Sequence, residues 1–134
     1  QTTSGTCSIA QRAGIIAYTE GLASVDLMKE AFARRRQLVY DLLNAIPGVK
    51  TNLPEGAFYF FPEISSFFGK KDLNGNVIKD SADLALYLLN EGHVATVGGD
   101  SFGNNNYIRL SYAASDDNLK EALRRIKEAL GKLA

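Results

Sequence analysis

Tyr107-Ile108-Arg109-Leu110-Ser111-Tyr112-Ala113 alternates apolar and polar residues with the period of a β-strand. One polar position is an arginine, Arg109, where strand neighbours are usually apolar or uncharged. Immediately upstream stands Gly98-Gly99-Asp100-Ser101-Phe102-Gly103, a glycine-rich loop whose backbone can approach other atoms closely. Taken alone, neither feature is specific. A lone strand arginine is most often salt-bridged or solvated, and glycine pairs often serve only tight turns.

The neighbouring segments give the strand its setting. Upstream, His93-Val94-Ala95-Thr96-Val97 reads as another strand, with the single His93 taken as structural because no metal-ligand spacing surrounds it. Downstream, Ser115-Asp116-Asp117 opens a helix. Leu119, Ala122, Leu123, Ile126 and Leu130 form its buried stripe, and Lys120, Arg124 and Lys127 its wet face. Farther back, Asp80 or Ser81 caps a helix with Leu84, Leu88 and Leu89 inward and Gly92 at its end. Asn74-Gly75, between Leu73 and Val77-Ile78, is a hairpin-turn signal within the long connection 63–79. Ala57-Phe58-Tyr59-Phe60-Phe61 is a strand closed by Pro62. Without interleaved basic residues, its aromatic row reads as core packing rather than a base-stacking platform. Val49-Lys50-Thr51 is a short strand, followed by a turn at Leu53-Pro54-Glu55-Gly56.

The N-terminal third is helical. Ser24 reads as an N-cap with Asp26 in the first turn, and Met28, Phe32, Val39, Leu42, Leu43 and Ile46 follow at helical spacing until Pro47-Gly48. Arg34, Arg35 and Arg36 read as a solvated face paired to acids. Before it, Thr6 or Ser8 caps a helix through Ile9, Ala10, Ala13, Ile16 and Ala17, with Gly21 as its stop. Its small residues call for close neighbours. Helices alternating with paired strands predict an α+β fold.

Composition narrows the function. Of 134 residues, 46% are hydrophobic and 22% charged, and fifteen basic residues balance fifteen acidic ones. This balance argues against nucleic acid and anionic membranes as partners. No apolar run reaches the ~18 residues of a membrane span. A single cysteine, Cys7, fits a reducing, cytoplasmic compartment. The chain starts at Gln1, so it is expected to be a piece of a longer protein. Phosphate loops, dinucleotide fingerprints, zinc motifs and nucleophile elbows are absent, and no metal site is expected.

The ordered set of motifs carries more. Ser8-Ile9-Ala10-Gln11, Phe32-Ala33-Arg34-Arg35-Arg36, Leu43-Asn44-Ala45-Ile46-Pro47-Gly48-Val49 and Pro54-Glu55-Gly56-Ala57-Phe58-Tyr59 resemble the C-terminal part of class I/II aminotransferases. So do Leu88-Leu89-Asn90-Glu91, Val94-Ala95-Thr96-Val97, Ser101-Phe102-Gly103 and Tyr107–Ala113. The resemblance is to pyridoxal-phosphate-dependent enzymes of fold type I, in the aspartate aminotransferase branch. It implies that residues 1–23 end the large cofactor-binding domain, 24–46 form the interdomain helix, and 47–134 form the small domain that closes on substrate. It implies that Arg109 holds the substrate α-carboxylate and that Phe102 and Gly103 line the site entrance. Thr2, Thr3 and Ser4 would touch a neighbouring subunit of a homodimer. Substrates would be an amino acid, with aspartate the first choice, and a 2-oxo acid.

The same resemblance places the cofactor-binding lysine, in a Ser-Lys setting before Gly-Trp-Arg, upstream of Gln1. The eight lysines here fall on predicted helix faces or in loops, so no catalytic residue and no bound pyridoxal phosphate are expected in this stretch alone. Two alternatives stay open: another fold type I reaction, such as a lyase or decarboxylase, and a non-catalytic carboxylate-binding or interaction domain. Family members often carry Pro where Gly98 stands here.

Overall fold

The structure, a computed structural model, describes residues 5–20 and 22–134. Two compact units divide between Ala33 and Arg34. The first holds α1 (Ser8–Glu20) and the start of α2 (Leu22–Asn44). No residue of α1 is buried, and Ile9, Ile15, Ile16 and Tyr18 are all exposed. Ser24 is not the N-cap expected of α2 but lies inside it, because good helix formers at Leu22 and Ala23 extend the helix backwards. Met28, the first of the residues at helical spacing, is exposed. The expected stop at Gly21 lies outside the described residues.

The second unit contains the sheet and the core. β1 (Tyr59–Phe60), β2 (Val97–Gly98) and β3 (Ile108–Ser111) form a three-stranded antiparallel sheet, ordered β1-β3-β2, among the described residues. α3 (Ser81–Gly92) and α4 (Asp116–Gly131) pack together. Val39, Leu43 and Ile46 share the core with Phe60, Ile64, Leu84, Leu88, Ile108, Leu110, Leu123, Ile126 and Leu130. Antiparallel strands with helices apart from them are α+β, as expected.

Helix caps follow the sequence closely. The Asp80 carboxylate accepts from the Ala82 and Asp83 amides, and Ser115 Oγ from the Asn118 amide. On α3, however, Leu89 is exposed and Tyr87 is buried in its place, its hydroxyl donating to the Ala129 carbonyl at 2.8 Å. Gly92 is the last helical residue, and the left-handed cap expected of it falls to His93 (φ 53°), whose amide bonds Leu88 O. Gly92 instead permits helix contact, with Ala129 Cβ 3.6 Å from where its own Cβ would stand.

Strands are shorter than their apolar runs. Val49–Thr51 contributes one bridge, Lys50 to Glu63. The 57–61 run pairs only at Tyr59–Phe60, because Ala57 turns the chain at φ 58° and Tyr112 Oη bonds its carbonyl at 2.8 Å. The 93–97 run pairs only from Val97, because Val94 donates back to the α3 carbonyl of Leu88. The Asn74-Gly75 hairpin is present, with Gly75 left-handed. The Asp72 carboxylate fastens it, accepting from the Asn74 and Asn76 amides.

Two of the three consecutive arginines pair with an acid, across long sequence separations, and the third bonds a backbone carbonyl instead. Arg34 and Arg35 both reach the Asp116 carboxylate in the first turn of α4, at 3.1 and 3.0 Å, and Arg36 donates to Pro54 O. Asp116 is thereby held below the usual aspartate range, first by the hydrogen bond from Arg34 and then by that from Arg35.

Candidate carboxylate-binding site

Alternation along β3 sends Ile108 and Leu110 into the core and leaves Arg109 and Ser111 on the opposite face. Strand register then selects Arg109's neighbours. Val97 lies opposite Arg109, and Tyr59 opposite Ser111, which places Tyr59 diagonally beside Arg109. The guanidinium carbon stands 4.5 Å from the Tyr59 ring centre and 4.3 Å from that of Phe102. The guanidinium thus contacts both rings. Arg109 is half-buried, and no carboxylate among the described residues pairs with it.

The glycine-rich loop delivers Phe102. Gly99–Phe102 is a 3-10 turn closed by Gly103 in the left-handed region (φ 82°). The Gly99 amide donates to Tyr107 O at 2.8 Å and the Asn104 amide to Gly99 O at 3.0 Å. A Cβ on Gly99 would collide with the Asn104 and Tyr107 carbonyl oxygens. Ser81, buried at the start of α3, donates to Asn105 Oδ1 at 3.0 Å and ties down the far side of the loop.

The aromatic row 57–61, expected as core, splits between two faces. Phe60 is buried, whereas Phe58 is exposed, and Tyr59 and Phe61 are only partly covered. On the open face Phe61 stacks on Tyr107 at 4.9 Å and meets Phe102 edge-on at 6.2 Å. Arg109 and Phe102, both singled out from sequence, are thus brought together, and Gly103 adjoins them as backbone only. Thr2, Thr3 and Ser4 lie outside the described residues. Tyr59 was missed as a site residue. The signal for it is the period-two alternation of 59–61 set against an antiparallel 107–111.

Other features lie elsewhere. A cavity of about 420 Å³ opens between the 72–79 hairpin and α3. Two of its carboxylates are already engaged, Asp72 in the hairpin and Asp83 with the Lys79 amide. Among the described residues no cluster suits a metal ion, and no helix is long and apolar enough to cross a membrane.

Arg109, with no carboxylate partner among the described residues, stands on a strand behind a glycine loop, and comparison with known proteins gives the chain its family. The family model for aminotransferase class I and II matches residues 2–126, and the chain belongs to that family, which is pyridoxal-phosphate-dependent. It is 43% identical over 133 residues to the aspartate aminotransferase of Pinus pinaster, covering 97% of this chain and 27% of that protein. It is 42% identical over 134 residues to that of Rhizobium meliloti strain 1021, covering 100% of this chain and 33% of that protein. The crystal structure of an aspartate aminotransferase from Rhizobium meliloti superposes with a TM-score of 0.92 at 41% identity, over 99% of this chain and 34% of that one. An aspartate aminotransferase from Thermus thermophilus, solved with maleate, superposes with a TM-score of 0.81 at 36% identity, over 96% and 31%. The chain therefore spans about a third of the length of these relatives, and its fold is a portion of fold type I.

None of the eight lysines is buried. The Tyr59 and Phe102 rings lie against the guanidinium, and its N–H donors meet no carboxylate among the described residues.

Proposed function

We propose that this chain is the C-terminal, substrate-closing part of an aspartate aminotransferase-type enzyme, and that Arg109 holds the α-carboxylate of the amino acid and 2-oxo acid it exchanges. In this reading residues 1–23 end the large domain, 24–46 link the domains, and 47–134 form the small domain. The observation that carries it is Arg109 itself: an arginine without a carboxylate partner among the described residues, half-buried against Tyr59 and Phe102. A buried carboxylate would have neutralised it, and full exposure would have left it mobile. Its planar fork matches a carboxylate with two parallel hydrogen bonds, which an ammonium does not reproduce. The names of the relatives, and the maleate in the Thermus thermophilus structure, favour a four-carbon dicarboxylic substrate.

Arg109 contributes binding and orientation. Holding the carboxylate fixes one substituent of the substrate's α-carbon, so the bond to be broken is presented in one direction. Domain closure over it excludes water. Pyridoxal phosphate supplies the electron sink in this family, and the residues that bind it are assigned to the remainder of the longer protein. The 134-residue chain alone is expected to be inert.

Arg109→Ala in the full-length protein is expected to lower kcat/KM for aspartate by about 10- to 1000-fold, from charged hydrogen bonds of about 1.5–3 kcal/mol. Arg109→Lys is expected to fail as well, because the fork is lost. Near-normal turnover in the lysine variant overturns the assignment. Mixing the isolated chain with pyridoxal phosphate tests its inertness: a stoichiometric absorbance change that responds to aspartate would refute it.

A further inference from the structure

We propose that Tyr59 and Phe102 are positioning residues that hold the Arg109 guanidinium in place for the incoming carboxylate, so that affinity for carboxylate depends on the ring pair and not on Arg109 alone. The inference rests on the carboxylate reading of Arg109 and deepens it. An arginine side chain in solvent samples many rotamers, and a ligand that binds one of them loses affinity to the ordering. Here the ordering is done beforehand. The Tyr59 and Phe102 rings stand 4.5 and 4.3 Å from Cζ, well inside the range of cation–π attraction.

Each ring is itself fixed by the fold. Tyr59 is a β1 residue in register with Ser111 of the arginine's own strand. Phe102 ends a 3-10 turn held by the Gly99–Tyr107 and Asn104–Gly99 backbone bonds and by Ser81 to Asn105. Phe61, stacked on Tyr107, meets Phe102 edge-on and limits its swing. The glycine loop therefore reaches Arg109 through the ring it carries. Phe102 acts on the arginine's orientation rather than only lining an entrance.

The test uses the full-length holoenzyme with maleate as the titrated probe. Phe102→Leu and Tyr59→Leu are each expected to weaken maleate binding by roughly 3- to 30-fold, with kcat/KM for aspartate falling by a similar factor. Phe102→Tyr and Tyr59→Phe, which keep the rings, are expected to recover most of that loss. In an Arg109→Ala background the leucine substitutions are expected to change maleate affinity less than 2-fold, because the group they orient is gone. An equal effect in both backgrounds, or no effect with Arg109 present, overturns the positioning role. If Arg109→Ala itself leaves maleate affinity unchanged, the carboxylate reading fails first, and the two failures are separable. Phe102 is substantially exposed on its turn, so its leucine variant is expected to fold, and an unchanged denaturation midpoint verifies this.

Discussion

Replacing Gly99 by alanine tests how the loop and Arg109's strand are joined. A Cβ there would overlap the carbonyl oxygens of Asn104 and Tyr107, and neither is a flexible side-chain end that rotates away. Both belong to backbone that bonds Gly99 directly, through the Gly99 amide to Tyr107 O and the Asn104 amide to Gly99 O. Relief requires the strand pair or the 3-10 turn to open by on the order of 1 Å, given ordinary contact distances. Overpacking of this kind costs about 1–3 kcal/mol, and weakening two backbone bonds adds about 0.5–1.5 kcal/mol each. The expected loss is on the order of 2–6 kcal/mol. It should be read by urea titration followed by far-ultraviolet circular dichroism of the 134-residue chain.

The same substitution acts on the site. Val97 pairs with Arg109 two residues from Gly99, and Phe102 lies three residues on in the turn that opens. Gly99→Ala should therefore release the ring from the guanidinium, seen as a shifted Arg109 Nε–H resonance, as well as lower stability. A change of less than 0.5 kcal/mol, below the range expected for such overlap, would refute the close approach. Gly14→Ala is the matched control. Gly14 lies inside α1 with open space where its Cβ would stand, so alanine there should stabilise the helix by about 0.5–1 kcal/mol.

Further outcomes follow from single contacts. Tyr87→Phe removes one of two donors to the Ala129 carbonyl, which keeps the Lys132 amide, and should cost about 0.5–1.5 kcal/mol in thermal or urea unfolding; an unchanged midpoint would refute that bond. Asp116 has a depressed folded pKa, so its contribution is complete above the unfolded value of about 3.9 and is lost as pH falls through the folded value. Asp116→Asn should thus flatten the acid limb of a stability-against-pH curve, and superposable limbs would argue against the Arg34 and Arg35 pairing. Glu121, held down to about 2 by hydrogen bonds from Arg124 and then Arg125, acts with the same sign, its contribution fading as pH falls from about 4.3 toward 2. Gly98→Pro should stabilise by about 0.4–1 kcal/mol, since Gly98 already has φ −59°. The ladder alternation set by the Gly99 to Tyr107 bond leaves the Gly98 amide unpaired, and the nearest obstacle is the mobile end of Asp100. A lower melting temperature in that variant would show that Ser81 and Ala82 do not yield.

Local signals in the sequence located what local physics determines. Asp80 and Ser115 cap α3 and α4 because a short oxygen-bearing side chain satisfies the first amides wherever a helix begins. The α4 stripe of Leu119, Leu123, Ile126 and Leu130 was visible for the same reason, as one side of a 3.6-residue period. Strand ends were not visible, because a strand ends where its partner ends. Val94, Ala95 and Thr96 have strand-like composition, yet β3 is only Ile108–Ser111 and α3 takes the Val94 amide. The start of α2 was misplaced at Ser24 because a good capping residue is also tolerated inside a helix that begins earlier.

The aromatic run shows the deeper limit. Phe58, Tyr59, Phe60 and Phe61 are nearly interchangeable in hydrophobicity, and composition alone assigns all four to a core. Pairing with β3 separates them: Phe60 opposite Leu110 is buried, while Tyr59 opposite Ser111 shares Arg109's face. A one-residue slip of that register would bury Tyr59 and Phe61 and bring Phe60 beside the arginine. Tyr112 sets the register, its amide bonded to Phe58 O and its hydroxyl to Ala57 O, both at 2.9 and 2.8 Å, with its ring edge-on to Phe60 at 5.5 Å. The arginine was legible as a residue type, but its environment was written in a tyrosine three residues beyond it. Tyr112→Phe should therefore loosen Arg109's ring pair without touching it, whereas a site formed by Arg109 alone would be indifferent to that hydroxyl.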